Sequence, residues 1–325
     1  MIKIENLSKV FEQDGRRVAA VDGVDLEVGR GEICVLLGPS GCGKTTTLKI
    51  INRLVVPSGG RVLVDGQDTA EFDAITLRRK IGYVIQQVGL FPHMTVEQNI
   101  GIVPRLLGWT PERRRARALE LLDMIGLEPQ QYVGRYPREL SGGQAQRIGV
   151  ARALAADPPI LLMDEPFGAL DPVSREALQD EFLAMQQRLG KTIIFVSHEI
   201  DEAVKMADRI AIFRSGRIVR QGTPDAVLSD TSDAFVAGFI GRDRALKRLR
   251  RHHCREILEP CNRAFARGAP SVTPEDDLRT ALSMLVEADL DALPCYQPDG
   301  NIAGMVRLAR IRGLLDGGAE LEAAS

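Results

Sequence analysis

Two glycine-rich turns carry the chemistry open to this chain. The first is Gly38-Pro39-Ser40-Gly41-Cys42-Gly43-Lys44-Thr45. Its glycines let backbone N–H groups turn inward on phosphate oxygens, Lys44 adds a point charge, and the Thr45 hydroxyl can bind Mg²⁺. The second is Leu140-Ser141-Gly142-Gly143-Gln144. A nucleotide has one triphosphate, and the first turn already cradles it. A second anion-binding turn makes sense if it serves a nucleotide held by another copy of the chain. The pair therefore points to an ATP-driven dimer that closes and opens.

The remaining reactive residues sit at the ends of apolar runs. Asp164 ends the run 160–163, lies 120 residues after Lys44 and 20 after Gln144, and can hold Mg²⁺ through water. Glu165 follows it, and strand alternation turns its side chain the other way. There it can take a proton from attacking water, as a general base worth roughly 10²–10⁴ in rate. His198 follows the run 193–196, at the carboxyl end of a strand, where α/β sites form, and can sense a γ-phosphate. Gln86 ends the run 81–85 and can ligate Mg²⁺ or position water.

These residues need a parallel sheet to gather them. Unbroken apolar runs at 33–37, 81–85, 160–163, 193–196 and 210–213 alternate with helical segments, as expected for a parallel sheet covered on both faces. The run at 33–37 enters the first turn, and a helix is expected from Thr45 onward. Residues 89–140 read as helical, with no convincing strand. Beyond Gly241 the character changes. Residues 241–271 carry nine Lys and Arg (Arg242, Arg244, Lys247, Arg248, Arg250, Arg251, Arg255, Arg263, Arg267) against Asp243, Glu256 and Glu259. A solvated linker, or one touching anionic lipid, is expected there. Thr273-Pro274-Glu275-Asp276 reads as a helix start with Thr273 as cap. Residues 292–296, the turn Pro298-Asp299-Gly300 and residues 302–306 read as a hairpin followed by a short helix.

The 325 residues allow about two domains, and 44 % apolar with 26 % charged residues is ordinary globular composition. A net charge of −2 gives no overall signal for nucleic acid or membrane. The N-terminus has no basic-then-apolar leader, and no apolar run nears the ~18 residues of a membrane span. A membrane role is then expected to be peripheral. Cys34, Cys42, Cys254, Cys261 and Cys295 are scattered and read as reduced thiols. His252-His253-Cys254 with Cys261 fits no closed zinc spacing.

The set resembles the ATP-binding subunit of an ABC transporter, over residues 2–230 and in the family's order. Residues 38–45 resemble its Walker A, Gln86 its Q-loop, residues 140–144 its signature and residues 160–165 its Walker B. Gly168-Ala169-Leu170-Asp171 resembles the D-loop and His198 the switch histidine. The resemblance implies ATP on Phe11, Gly38, Pro39, Ser40, Gly41, Cys42, Gly43, Lys44, Thr45 and Thr46. A core role is the alternative for Phe11. It implies Mg²⁺ on Thr45, Gln86 and Asp164, catalysis by Glu165, His198 and Gln86, and Ser141, Gly142, Gly143 and Gln144 acting in trans beside Asp171. Residues 81–93 and 239–248 further resemble the osmoprotectant importers, for glycine betaine, choline or carnitine. Residues 271–316 resemble a single CBS motif, where that subfamily often carries two.

The implied fold is an α/β P-loop NTPase at 1–240 with a helical subdomain at about 89–156. A basic linker at 241–270 and a small α+β CBS-like unit at 271–325 follow. The implied function is ATP hydrolysis driving solute import from the cytoplasmic face of the cell membrane. The implied partners are a second copy, an integral permease and, indirectly, an extracytoplasmic solute-binding protein, with no nucleic acid. An amino acid or polyamine is the alternative solute. ABC ATPases acting on DNA or ribosomes usually need a long coiled coil or two cassettes, and the chain has neither.

Overall fold

Burial on both faces decides the architecture of the first of two compact units, Met1–Val227 and Leu228–Ser325. The structure, a computed structural model, describes residues 1–13, 16–86, 89–168, 170–230, 232–261, 265 and 268–315. Expectations that fall on Gln87, Ala169, Arg263, Arg267 and residues 316–325 lie outside the described residues. The first unit has strands β1 (Ile2–Gln13), β2 (Arg16–Val28), β3 (Ile33–Leu37), β4 (Gly59–Val64), β5 (Gln67–Asp68), β6 (Ile81–Val84), β7 (Ile160–Asp164), β8 (Thr192–Val196), β9 (Arg209–Arg214) and β10 (Arg217–Gly222). Its helices are α1 (Lys44–Ile51), α2 (Ala74–Lys80), α3 (Val96–Ile100), α4 (Ile102–Leu106), α5 (Pro111–Met124), α6 (Pro129–Tyr132), α7 (Gly142–Leu154), α8 (Pro172–Leu189) and α9 (Ile200–Met206). Helix α10 (Pro224–Ser229) runs across the division.

Every residue of β3, β7 and β8 is buried. Strands apolar on both faces need cover on both, which parallel pairing under crossover helices supplies. The sheet runs β10-β9-β3-β8-β7-β6, parallel from β9 to β6, with β10 antiparallel at one edge. This order sets β3, β8, β7 and β6 side by side. The segments leaving their carboxyl ends carry the first glycine-rich turn, His198, Asp164-Glu165 and Gln86, which is the edge where such sheets bind ligands. A second sheet, antiparallel and ordered β2-β1-β4-β5, carries Phe11. Between β6 and β7 the chain runs through α3 to α7. Helix α7 lies close on β6: a Cβ on Gly82 would stand 2.6 Å from the Ala153 carbonyl oxygen and 2.4 Å from Leu161 Cδ2.

The second unit contains α11 (Ala234–Ile240), α12 (Arg244–Leu249), α13 (Leu278–Glu287), β11 (Ala292–Tyr296), β12 (Ile302–Arg307) and α14 (Leu308–Leu315). β11 and β12 form the antiparallel hairpin. Helix α13 starts after Asp277 rather than at Thr273. The Asp277 carboxylate accepts from the Thr280 N–H at 2.8 Å, while Asp276 turns back to accept from the Thr273 N–H at 2.6 Å. Asp277 directly precedes the buried face of Leu278, Ala281 and Leu285, which makes it the better cap.

Residues 241–261 of the stretch expected to be a solvated linker are folded. Leu249, Cys254 and Ile257 are buried in one core with Leu278, Leu285 and Val306. Lys247 is 6 % exposed, and its ammonium lies 2.5 Å from Asp243. Of the basic residues counted there, Arg242, Arg244 and Arg255 are exposed in the described structure.

Candidate nucleotide and hydrolysis site

The first glycine-rich turn is pressed onto neighbouring backbone. A Cβ on Gly38 would stand 2.4 Å from the Phe213 carbonyl oxygen, and one on Gly43 2.3 Å from that of Ala20. Gly43 also has φ 108 as it opens α1, a conformation closed to most side chains. A Cβ on Gly41 would meet nothing within 4 Å, so the cradle opens at that point. Lys44 is 5 % exposed and folds back across the turn, donating to the carbonyl oxygens of Gly38 at 2.6 Å and Pro39 at 2.9 Å. Its Nζ also lies 3.7 Å from Cys42 Sγ. Cys42 is buried, Thr45 and Thr46 are half-buried, and Pro39 and Ser40 are exposed. An ammonium satisfied by two neutral carbonyls, beside a cradle with open space, fits a phosphate chain.

The Thr45 hydroxyl donates to Asp164 Oδ1 at 2.9 Å, joining the turn to the end of β7. Asp164 is 6 % exposed. Burial pushes its carboxyl above the usual range, the Thr45 hydrogen bond pulls it down, and the neighbouring Glu165 raises it again. A hydroxyl and a buried carboxylate are the hard oxygens Mg²⁺ takes.

Glu165 lies outside β7 with φ 48. A left-handed turn, not the strand pleat, therefore aims its side chain. Phe167 anchors this turn, packing edge-to-face on Phe182 and Phe195 with centroids 6.0 and 6.1 Å away. Glu165 Oε2 accepts from Gln86 Nε2 at 2.9 Å, and Oε1 lies 3.6 Å from His198 Nδ1. The three residues named for catalysis thus meet, although Gln86, Glu165 and His198 come from three different strand ends.

Ser141 caps α7 in a reciprocal pair. Its Oγ accepts from the Gln144 N–H at 3.3 Å, and Gln144 Oε1 accepts from the Ser141 N–H at 3.0 Å. Gly142 and Gly143 form the first turn, whose N–H groups have no intrahelical acceptor. Tyr132 holds Gln144 Nε2 through its hydroxyl at 2.9 Å. This residue was not foreseen, and nothing local in the sequence signals it. A Cβ on Gly143 would lie 3.2 Å from Leu170 Cδ2, so the signature turn touches the segment that leads to Asp171. Asp171 is exposed, and its carbonyl accepts from the Arg175 N–H at 2.9 Å. Phe11 is 41 % exposed with Lys9 Nζ 5.0 Å over its ring, so it is not a core side chain.

Two further features bear on partners. A groove of about 260 Å³ is lined by Asn52, Arg78, Arg79, Tyr83, Phe91 and Ile102, among others. Among the described residues no helix is long and apolar enough to cross a membrane. No group of three or more His, Cys, Asp or Glu side chains forms a metal site among them either; His252 Nδ1 instead lies 2.8 Å from Glu256.

Fold and site together define a phosphate-loop ATPase with a second glycine-rich helix start. The family model for ABC transporters matches residues 21–168. The chain is 53 % identical over 315 residues to the osmoprotectant import ATP-binding protein OsmV of Salmonella typhimurium, covering 96 % of this chain and 80 % of that one. It is 49 % identical to the glycine betaine/carnitine/choline transport ATP-binding protein OpuCA of Bacillus subtilis, covering 96 % and 79 %. The solved dimer of the ATP-binding cassette MJ0796 bound to ADP and phosphate superposes with a TM-score of 0.63 at 37 % identity, covering 69 % of this chain and 99 % of that one. The chain belongs to the ATP-binding subunits of ABC transporters, and its first unit is an ABC ATPase of the P-loop NTPase class.

Proposed function

We propose that this chain is the ATP-hydrolysing subunit of an osmoprotectant importer, with glycine betaine, choline or carnitine as solute. The observation that carries the solute class is 44–53 % identity, over 94–96 % of the chain, to four ATP-binding proteins, one named for osmoprotectant import and three for transport of choline, carnitine or, in one of them, glycine betaine as well. The gathering of Gln86, Glu165 and His198 supports active hydrolysis rather than a silent cassette.

Bound ATP with Mg²⁺ would supply a γ-phosphoryl group whose charge is already partly neutralised. Lys44 then exchanges the Gly38 and Pro39 carbonyls for phosphate oxygens. Thr45, Asp164 and the Gln86 oxygen would hold the Mg²⁺, and Phe11 would offer its exposed face to the adenine. Gln86 leaves Glu165, and the freed carboxylate takes the proton of the attacking water. His198 orients the reacting group beside it. Ser141 and Gly143 of one protomer donate backbone and hydroxyl groups to the phosphates held by its partner, with Asp171 at the same face. Closure of this homodimer is transmitted to an integral permease seated in the groove that contains Phe91. The subunit lies peripherally at the cytoplasmic face of the membrane, and a solute-binding protein acts on the other side. Residues 271–316 are assigned as a single CBS-like motif.

The test is uptake by vesicles carrying the subunit and its permease, with labelled glycine betaine, choline, carnitine, an amino acid and a polyamine offered in turn. ATP-dependent uptake of an osmoprotectant is expected. Uptake of an amino acid or polyamine alone overturns the solute and leaves the ATPase standing.

A further inference from the structure

A second layer of polar side chains lies behind the hydrolysis cluster, and none of the roles above uses it. Arg175 sits in the first turn of α8. Its guanidinium bridges two loops. Nη2 donates to the Leu170 carbonyl oxygen at 3.1 Å, while Nη1 reaches both carboxylate oxygens of Glu199 at 2.5 and 2.6 Å. Leu170 and Asp171 belong to the loop at the proposed dimer face. Glu199 is the neighbour of His198.

The far loop is tied down on both sides of the histidine. The Glu199 N–H donates to Ser197 Oγ at 2.9 Å, and Ser197 Oγ donates to Glu202 Oε2 at 2.6 Å. Gln179 of α8 donates to Glu202 Oε1 at 3.2 Å. Ser197, Gln179 and Glu202 are all buried. Arg175 Nε is also buried, has no hydrogen-bond acceptor, and lies 4.0 Å from Glu202 Oε1. The backbone around His198 therefore has few ways to move independently of Arg175. The near loop continues to the signature turn, because the Leu170 side chain lies against Gly143.

We propose that Arg175 is a positioning residue for hydrolysis. It fixes the loop of His198 to the loop of Leu170 and Asp171, so the stance of the imidazole beside Glu165, 3.6 Å away, follows the state of the dimer face. A planar fork suits this task. It can grip a carboxylate and a carbonyl at once, which a point charge on a flexible stem cannot hold in fixed geometry. The proposal rests on the assignment of His198 and Glu165 to hydrolysis.

The experiment is steady-state ATP hydrolysis by the full-length protein carrying Arg175→Gln, Arg175→Lys, Glu199→Ala, His198→Ala or Arg175→Gln with His198→Ala. Arg175→Gln is expected to lower kcat tenfold or more with KM for ATP within twofold. Arg175→Lys, which keeps the charge opposite Glu199, is expected to recover part of the rate. The double variant is expected to be no slower than His198→Ala alone, since Arg175 acts through His198. Wild-type kcat in both Arg175 variants overturns the proposal. So does a double variant slowed by the full product of the two single factors. Wild-type kcat in His198→Ala would instead overturn the assignment of His198, and the proposal with it. Should Arg175→Gln fail to fold by circular dichroism, Glu199→Ala cuts the same link from the more exposed end and is held to the same kcat–KM split and the same non-additivity with His198→Ala.

Discussion

Glu165→Gln separates the chemistry from the fold. The two side chains have nearly the same size, and both are unbranched at Cβ, so they are similarly constrained at φ 48. Glu165 accepts from Gln86 at 2.9 Å and lies 3.6 Å from His198. A glutamine oxygen keeps the first contact, so the folded state loses only the charge-assisted part, on the order of 1 kcal/mol. That is small beside the roughly 5–15 kcal/mol that holds a domain together. The chemical loss is larger. Removing a general base costs about 10²–10⁴ in rate, or roughly 2.7–5.4 kcal/mol at 1.36 kcal/mol per tenfold. Phosphate release should therefore collapse while nucleotide affinity and melting temperature stay near wild type. With the opening step blocked, ATP should hold two copies together, seen as a monomer-to-dimer shift in size-exclusion chromatography. Turnover within threefold of wild type refutes the role of Glu165. Loss of turnover without an ATP-dependent dimer refutes closure as the step that hydrolysis reverses.

Cys42→Ser should retain hydrolysis, because the turn binds through its backbone; maleimide labelling of wild-type Cys42, slow in so buried a thiol, should be blocked by ATP, and labelling unaffected by ATP would move the nucleotide elsewhere. Ser141→Arg removes a helix cap, at about 1 kcal/mol, and places bulk and charge at the dimer face; hydrolysis should vanish while monomer ATP affinity stays within a few-fold, and lost affinity would mean that Ser141 acts in its own protomer. Gly82→Ala forces a Cβ to within 2.6 Å of the Ala153 carbonyl. Overpacking of this kind costs about 1–3 kcal/mol, so calorimetry should record a melting temperature lower by several degrees, and an unchanged one would contradict the close seat of α7 on β6.

The central strands were legible because their burial is one-dimensional. Five apolar residues in a row at Ile33–Leu37 admit few other readings, and the Gly and Thr positions after them locate the turn and α1. Ser141 was legible as a helix start for the same local reason. What escaped was set by contacts between distant segments. Glu165 was expected to turn away through strand alternation, but β7 ends at Asp164 and a positive φ aims the carboxylate. The bond from Gln144 to Tyr132 and that from Arg175 to Glu199 depend on loop paths and parallel register, which no spacing encodes. The segment at 241–270 misled by composition. Its helix α12 is only six residues long, so the buried Leu249, Cys254 and Ile257 trace no periodic face, while the bases dominate the count. Thr273 has the residue type of a cap, yet Asp277 lies nearer the first buried turn and takes the position.

Lys44, Thr45, Asp164 and Glu165 each already have an internal partner, and in the proposed function the partners would differ in how a nucleotide displaces them. Lys44 rests on two neutral carbonyls; a phosphate oxygen, being charged, is the stronger acceptor and draws it away. Thr45 and Asp164 share one hydrogen bond, and burial, with the neighbouring Glu165, raises the carboxyl. A cation between them relieves that desolvation, so binding itself favours the exchange. The bond from Gln86 to Glu165 is different. Mg²⁺ arriving with the nucleotide would compete only for the Gln86 oxygen, which leaves its Nε2 donor to Glu165 without a rival, and in sequence Gln86 lies five residues before Phe91 of the groove. In the reading proposed here, the base is therefore released by movement of the Gln86 segment rather than by ATP alone. Hydrolysis would then depend on what occupies the groove, so a permease seated there would couple turnover to its own state.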